Sequence, residues 1–167
     1  DLISYWKVIH EKTRDDMASG TQFEYLPEFL KKKSNLIEEL LDRLKKANEP
    51  FTASYMSEMR CILAEGDFDN QFADIMQMTK SKNQNEVIAG VNALARLKYS
   101  GTKKQLISRV RNRFEELESN ASPDVLFALT QSYGILLVQR KSISKKLVSF
   151  LAYDTAEIDY ALSRIIF

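Results

Sequence analysis

Apolar residues recur at three- and four-residue intervals along most of the chain, the spacing that places them on one face of an α-helix. Leu2, Tyr5, Trp6, Ile9 and Thr13 share such a face before Ser19-Gly20-Thr21 interrupts it. The pattern resumes after Tyr25 with Leu26, Phe29, Leu30, Leu36, Ile37, Leu40, Leu41 and Leu44 and stops at Asn48-Glu49-Pro50. This predicts one long second helix with Pro27 in its first turn, where the missing N–H costs nothing. Lys31-Lys32-Lys33 inside it reads as a solvated face. Tyr55, Met56, Met59, Ile62 and Leu63 up to Gly66, then Phe68, Phe72, Ile75, Met76 and Thr79, predict a helical hairpin whose second arm opens over Asp67–Asn70. The methionines Met56, Met59, Met76 and Met78 are expected as core filler.

The same two-helix pattern follows again. Val87, Ile88, Val91, Leu94 and Ala95 form one stripe, Ser100-Gly101-Thr102 a turn, and Leu106, Ile107, Val110, Phe114 and Leu117 the answering stripe. Ser122-Pro123-Asp124 is an N-cap signal ahead of Val125, Leu126, Leu129, Tyr133, Leu136 and Leu137, with Ile143, Leu147, Phe150 and Leu151 on the partner helix. A further start falls at Asp154-Thr155-Ala156-Glu157, where Asp154 with Glu157, or Thr155 alone, caps a helix bearing Ile158, Ala161, Leu162 and Ile165. Starts near Thr52, Asn85, Ser122 and Thr155 lie 33, 37 and 33 residues apart, with a mean of about 34. Two amphipathic helices per fixed period of this size predict an all-α fold, an α-solenoid of stacked hairpins. Residues 1–50 are expected as an N-terminal helical hairpin or cap and 51–167 as the repeats, the last one incomplete. Because Ile165, Ile166 and Phe167 end an apolar pattern without a cap, a following element is expected to cover them, and the chain is expected to belong to a longer one.

Three stretches can be superposed: Val91-Asn92-Ala93-Leu94-Ala95-Arg96-Leu97-Lys98-Tyr99, Leu126-Phe127-Ala128-Leu129-Thr130-Gln131-Ser132-Tyr133 and Asp159-Tyr160-Ala161-Leu162-Ser163-Arg164. Each carries an Ala-Leu pair, and Ala93, Ala128 and Ala161 are small enough for adjacent helices to approach closely. Over residues 83–167 this arrangement resembles the octotricopeptide, heptatricopeptide and FAST-kinase-like helical repeats of organellar RNA metabolism. The resemblance implies a non-catalytic subunit of a mitochondrial or other organellar assembly that binds or processes RNA. The Trp, Leu-Gly, Tyr and Pro offsets of tetratricopeptides are absent, and residues 1–80 match the Ala-Leu pattern poorly.

Charge and composition bear on what such a scaffold meets. Net charge is +1, but residues 1–80 carry −4 and residues 81–167 carry +5, so an anionic partner is expected on the second half. The basic set lies on the second helices of the repeats: Lys103, Lys104, Arg109, Arg111 and Arg113, then Arg140, Lys141, Lys145 and Lys146. Arg109 and Arg113 flank one side of the apolar stripe, Lys104 and Arg111 the other. Stacking would line them up for the phosphates of single-stranded RNA, with Tyr99 and Tyr133 as candidate stacking residues, although tyrosines at such positions more often belong to the core. The competing reading pairs Arg113 and its neighbours with Glu116 and Glu118 and leaves a surface that grips other protein subunits, as in a peripheral subunit of an organellar ribosome.

Enzyme chemistry finds little support. One histidine, His10, and one cysteine, Cys61, leave no zinc set, no triad and no disulfide framework, and Cys61 is expected to be a buried inert thiol. No glycine-rich phosphate loop or His-Glu-x-x-His occurs, so neither cofactor, metal nor catalytic residue is expected. The pairs Asp15-Asp16, Glu38-Glu39 and Glu115-Glu116 project about 100° apart on a helix and cannot act jointly on one bond. The run Gly134–Val138 falls far short of the roughly 20 apolar residues of a membrane span. The start Asp1-Leu2-Ile3 has neither an initiator Met nor a signal-peptide pattern.

Overall fold

The computed structural model describes residues 3, 4, 7, 8, 30–139 and 144–166, and among these there is helix and no strand. Counted from Ile37, the helices are α1 (Ile37–Ala47), α2 (Thr52–Gly66), α3 (Phe68–Met78), α4 (Gln84–Arg96), α5 (Leu106–Glu118), α6 (Pro123–Gln139), α7 (Ser144–Ser149) and α8 (Ala156–Ile166). Short 3-10 segments precede α1 (Ser34–Leu36) and α5 (Gly101–Gln105) and follow α7 (Phe150–Tyr153). The single long helix expected before Asn48 is broken: helix from Leu30 turns at Lys33 and passes through the 3-10 segment before α1. Leu30 and Ile37 are both fully buried across this break, so the core holds the kink. Most of the expected first helix, and Pro27, lie outside the described residues.

Helix ends follow their local chemistry. Asn48 adopts the left-handed conformation and closes α1 through its N–H to Leu44 O at 3.1 Å. Asp67 caps α3, and Asn83 caps α4 by accepting from the N–H groups of Asn85 and Glu86 at 2.9 and 3.4 Å. Ser122 Oγ accepts from the Val125 N–H at the start of α6. At α8 the cap is Thr155, whose Oγ1 accepts from Ile158 N–H at 3.3 Å, while Asp154 takes the left-handed turn position.

The helices pack in two layers. α2, α4, α6 and α8 touch in succession, α3 lies on α2 and α4, α5 touches α4 and α6, and α7 lies on α6. One apolar cluster joins α1 and α2 to Ala89 of α4, and a second runs from α3 to α8, with Ile88 packed against both. Met56 and Met59 are core residues as expected, and so are Ala93, Ala128 and Ala161 with their partner leucines. Close approach is built in at two glycines. A Cβ on Gly90 would lie 2.9 Å from Thr79 Cγ2 and 3.1 Å from Ile75 O, and one on Gly134 would lie 2.5 Å from the Ile165 side chain.

Three details differ from the sequence expectation. The four first-layer helices start at 52, 84, 123 and 156, at intervals of 32, 39 and 33 residues. Ala128 and Ala161 are both the sixth residue of their helices, but Ala93 is the tenth of α4, so the Ala-Leu pair of α4 sits one turn further along. Ser132 Oγ lies 3.4 Å from Val91 O and Gln84 Nε2 donates to Asp124 Oδ2 at 2.7 Å, which fixes α6 against α4 in this register. Second, α7 is one short helix ending in a 3-10 turn, and this turn swings Leu151 outward, 59% exposed beside Val148 at 64%. Third, Ile165 packs inward against Gly134, while the side chain of Ile166 and all of Phe167 lie outside the described residues.

Candidate nucleic-acid interface

The basic side chains of the second layer serve mainly to join helices. Lys103 Nζ sits 3.8 Å from the centre of the Phe68 ring, and the Arg109 guanidinium stands 5.4 Å from that of Phe72. Arg113 donates from Nε to Thr79 Oγ1 at 2.9 Å, from Nη2 to Thr79 O at 2.7 Å and from Nη1 to Glu116 at 2.8 Å. All three thereby brace α5 and its leading turn against α3, with Arg113 on the carbonyl end of that helix, where the dipole favours a cation. Arg111 pairs with Glu115 at 3.2 Å on the exposed side. Lys146 of α7 repeats the bracing: it meets Glu118 of α5 at 2.5 Å and stands 5.5 Å from the Phe150 ring. Tyr153 Oη adds a hydrogen bond to the same carboxylate at 2.9 Å, and with burial this pushes its hydroxyl up to about 12.

Lys104 and Lys145 are exposed and have no ion-pair partner among the described residues. Arg140 and Lys141 lie outside the described residues. The open cationic stripe expected on the second helices is therefore replaced, for Lys103, Arg109, Arg113 and Lys146, by contacts between neighbouring helices. Each of these cations lies against a ring, carbonyl or carboxylate from the second-layer helix before its own, α3 for Lys103, Arg109 and Arg113 and α5 for Lys146.

The two tyrosines are core residues, the commoner of the two roles open to them, and not base platforms. Tyr99 donates to Leu94 O at 2.6 Å, and Tyr133 packs edge-on against Phe114 with ring centres 5.4 Å apart and against Phe150 at 5.6 Å. Burial raises both hydroxyls well above the ordinary tyrosine range. Cys61 is half-buried, with Sγ 3.8 Å from Ala93 O, and this burial pushes its thiol up to about 11. It is a protonated thiol at neutral pH and a poor nucleophile.

Besides two concavities of about 310 Å³, one lined by Arg96, Lys98 and Lys103 and the other by Lys82 and Arg113, a groove lies on the first layer. This groove of about 900 Å³ crosses the start of α2, then α4 and α6, with the turns that lead into them. Asn85, Ile88 and Asn92 line it from α4 and Asp124, Phe127 and Gln131 from α6, with Asn48, Ser54 and Lys82 around them. Residues 85, 88 and 92 are the second, fifth and ninth of α4, and 124, 127 and 131 are the second, fifth and ninth of α6. The spacing puts each trio on one helix face. At the second position the side chains tie the stack together: Asn85 Nδ2 donates to Asn48 Oδ1 at 2.9 Å, and Asp124 accepts from Gln84. At the fifth position Ile88 and Phe127 are half-buried with one side open to the groove. At the ninth, Asn92 Oδ1 lies 3.4 Å from Ser132 Oγ, and Gln131 has no hydrogen-bond partner among the described residues.

These groove residues were missed because a search for charge passes over Asn, Gln and a lone Phe. Their matching register needs the observed starts at Gln84 and Pro123, one residue away from those the sequence predicts, in opposite directions. Among the described residues no cluster of three or more His, Cys, Asp or Glu is placed to hold a metal ion, and no helix is long and apolar enough to cross a membrane. Comparison with protein-family models, with curated proteins and with solved structures finds no match for this chain.

Proposed function

We propose that this chain is a non-catalytic α-helical repeat subunit that holds single-stranded RNA across its first-layer helices, as part of an organellar RNA-binding or RNA-processing assembly. Its hairpins form a solenoid with a period of about 34 residues, and the mitochondrial setting rests on the resemblance to organellar RNA repeats. The observation that carries the reading is the groove over α4 and α6, which offers amide side chains and an apolar or aromatic surface at matching positions. Unpaired bases present donors and acceptors on their edges and π-faces above and below, and amides and rings answer both. Lys82 is the only cation lining the groove among the described residues, so stacking and hydrogen bonding supply more of the binding than phosphate contacts do.

Titration of a labelled single-stranded RNA, followed by anisotropy at several salt concentrations, tests this. Binding is expected at low salt, with a shallow slope of log K against log salt, no steeper than about −2, since each phosphate contact on a single strand contributes about −0.7. Absence of binding at low salt would overturn the reading. In that case a protein–protein scaffold stands in front, supported by the neutralised second-layer cations and by the exposure of Val148, Leu151 and Tyr160, the last at 52%.

A further inference from the structure

We infer that the small concavity at the far end of α4 holds the terminal phosphate of the RNA strand, so that the protein distinguishes a phosphorylated end from a hydroxyl end. The inference rests on the RNA reading above and adds the end chemistry of the strand. Arg96, the last residue of α4, lies one helical turn beyond Asn92 on the same face, so the face that lines the groove runs on to this pocket. With a volume of about 310 Å³ against about 900 Å³ for the groove, the pocket suits one group and not a run of nucleotides.

Its charge favours a dianion. Arg96, Lys98 and Lys103 line it from the end of α4 and the turn before α5, and Glu65 of α2 is the one carboxylate on the lining among the described residues. Glu65 is engaged by Lys31 at 2.7 Å, and Arg96 is paired with Glu58. With these partners counted, four cations (Lys31, Arg96, Lys98 and Lys103) face two carboxylates (Glu58 and Glu65), an excess of two. Lys98 is exposed and has no ion-pair partner among the described residues. Lys103 is held over the Phe68 ring, which fixes its ammonium without neutralising it. α2 and α4 end here with their carbonyls, and α3, which starts at Phe68 on the same lining, offsets part of that field. A phosphodiester inside a strand carries one negative charge, whereas a terminal monoester carries about 1.5 to 2 at pH 7 and has three free oxygens. The terminal group therefore matches the excess of two and offers its oxygens to three lining cations.

The test uses the 1–167 chain and one short RNA sequence made with hydroxyl ends, with a 5′-phosphate, with a 3′-phosphate, and with each phosphate capped as its methyl diester. Affinities are read by competition against a labelled strand. One phosphorylated end, selected by the polarity of the strand in the groove, should bind about tenfold more tightly than the hydroxyl-ended RNA, the scale of one charge-assisted hydrogen bond. Methyl capping, which leaves a single charge, should remove most of that gain. Lys98→Gln should bring the ratio of phosphorylated to hydroxyl-ended affinity near one, and Lys98→Arg should keep it. Lys82→Gln, in the groove, should weaken both RNAs and leave the ratio as it was. Circular dichroism checks that each variant keeps its helix content. If RNA binds and a phosphate at neither end strengthens it, the inference falls and the RNA reading stands. It falls in the same way if both ends gain alike, if the methyl-capped ends gain as much, or if the gain survives both Lys98→Gln and Lys98→Glu. If the wild type binds none of the RNAs at low salt, both readings fall, and binding of a phosphoserine peptide in their place would give the pocket to a protein partner.

Discussion

The two helix layers use their polar residues differently. In the second layer, charged side chains are consumed by contacts between consecutive helices: Lys103, Arg109 and Arg113 against α3, and Lys146 against Glu118 of α5. In the first layer, buried apolar residues such as Val91, Leu94, Leu129 and Ala161 make contacts alongside two polar ties, Arg96 with Glu58 and Gln84 with Asp124, and the neutral amides Asn92 and Gln131 line the open groove. A helix packed through Ala and Gly can leave its polar side chains for another task. A short helix with fewer buried groups, such as α7, must recruit a lysine, a glutamate and two aromatic rings to hold its place. Position along the sequence is thus a poor guide to which charges are free.

The largest break in this comparison should come from the aromatic column of the second cluster. Phe114 is fully buried and meets Tyr133, which in turn meets Phe150, so one ring links α5 to α6 and then to the α7 turn. Phe114→Ala should lower unfolding free energy by about 3–5 kcal/mol in denaturant titrations, because the surrounding helices cannot close the space of a whole ring. A loss under about 1 kcal/mol would mean that the second layer is peripheral to stability.

A contrast between two neighbouring arginines sharpens the picture at a smaller scale. Arg113→Met removes three donors and leaves the Thr79 carbonyl and hydroxyl short of a partner, so a loss of about 1–3 kcal/mol is expected. Arg111→Met removes only an exposed pair with Glu115, spaced i, i+4, for which about 0.3–0.5 kcal/mol is expected. Equal losses in the two variants would refute the division between clamping and solvated cations.

An effect confined to alkaline pH belongs to the first layer. Burial pushes the Cys61 thiol up to about 11, above the ordinary cysteine range, so it stays protonated in the fold where an unfolded chain would ionise. Its contribution to stability is therefore complete below pH 9 and is lost as pH rises toward 11. Denaturation midpoints of the wild type should fall over that window relative to Cys61→Ala, and both proteins should run parallel between pH 6 and 8. A thiol that reacts freely with a maleimide at pH 7 would contradict its enclosure between α2 and α4.

Particular residues show how far the sequence alone reaches. The apolar periodicity places α2, α4, α6 and α8 within a residue or so of their observed starts, because Asn83, Ser122 and Thr155 are caps whose chemistry is local. Burial of Met56, Met59 and the Ala-Leu pairs follows from the same periodicity. The break at Lys33–Leu36 is not legible, since Ser34 and Asn35 interrupt the apolar pattern too briefly to predict a 3-10 turn. Nor is the outward turn of Leu151, which depends on the shortness of α7 and on Phe150 filling the core first.

The candidate site was less legible than the fold. Helix type, helix ends and the inward face are set by spacing and capping within a few residues, and these the sequence by itself determined. Which cation lies over a ring, which amide is left without a partner and how far α6 slides along α4 depend on groups 30 to 40 residues apart, such as Arg113 with Thr79 and Ser132 with Val91. Only the tertiary structure decided those, because the energy of a polar side chain is set by what surrounds it after packing and not by its neighbours in the chain.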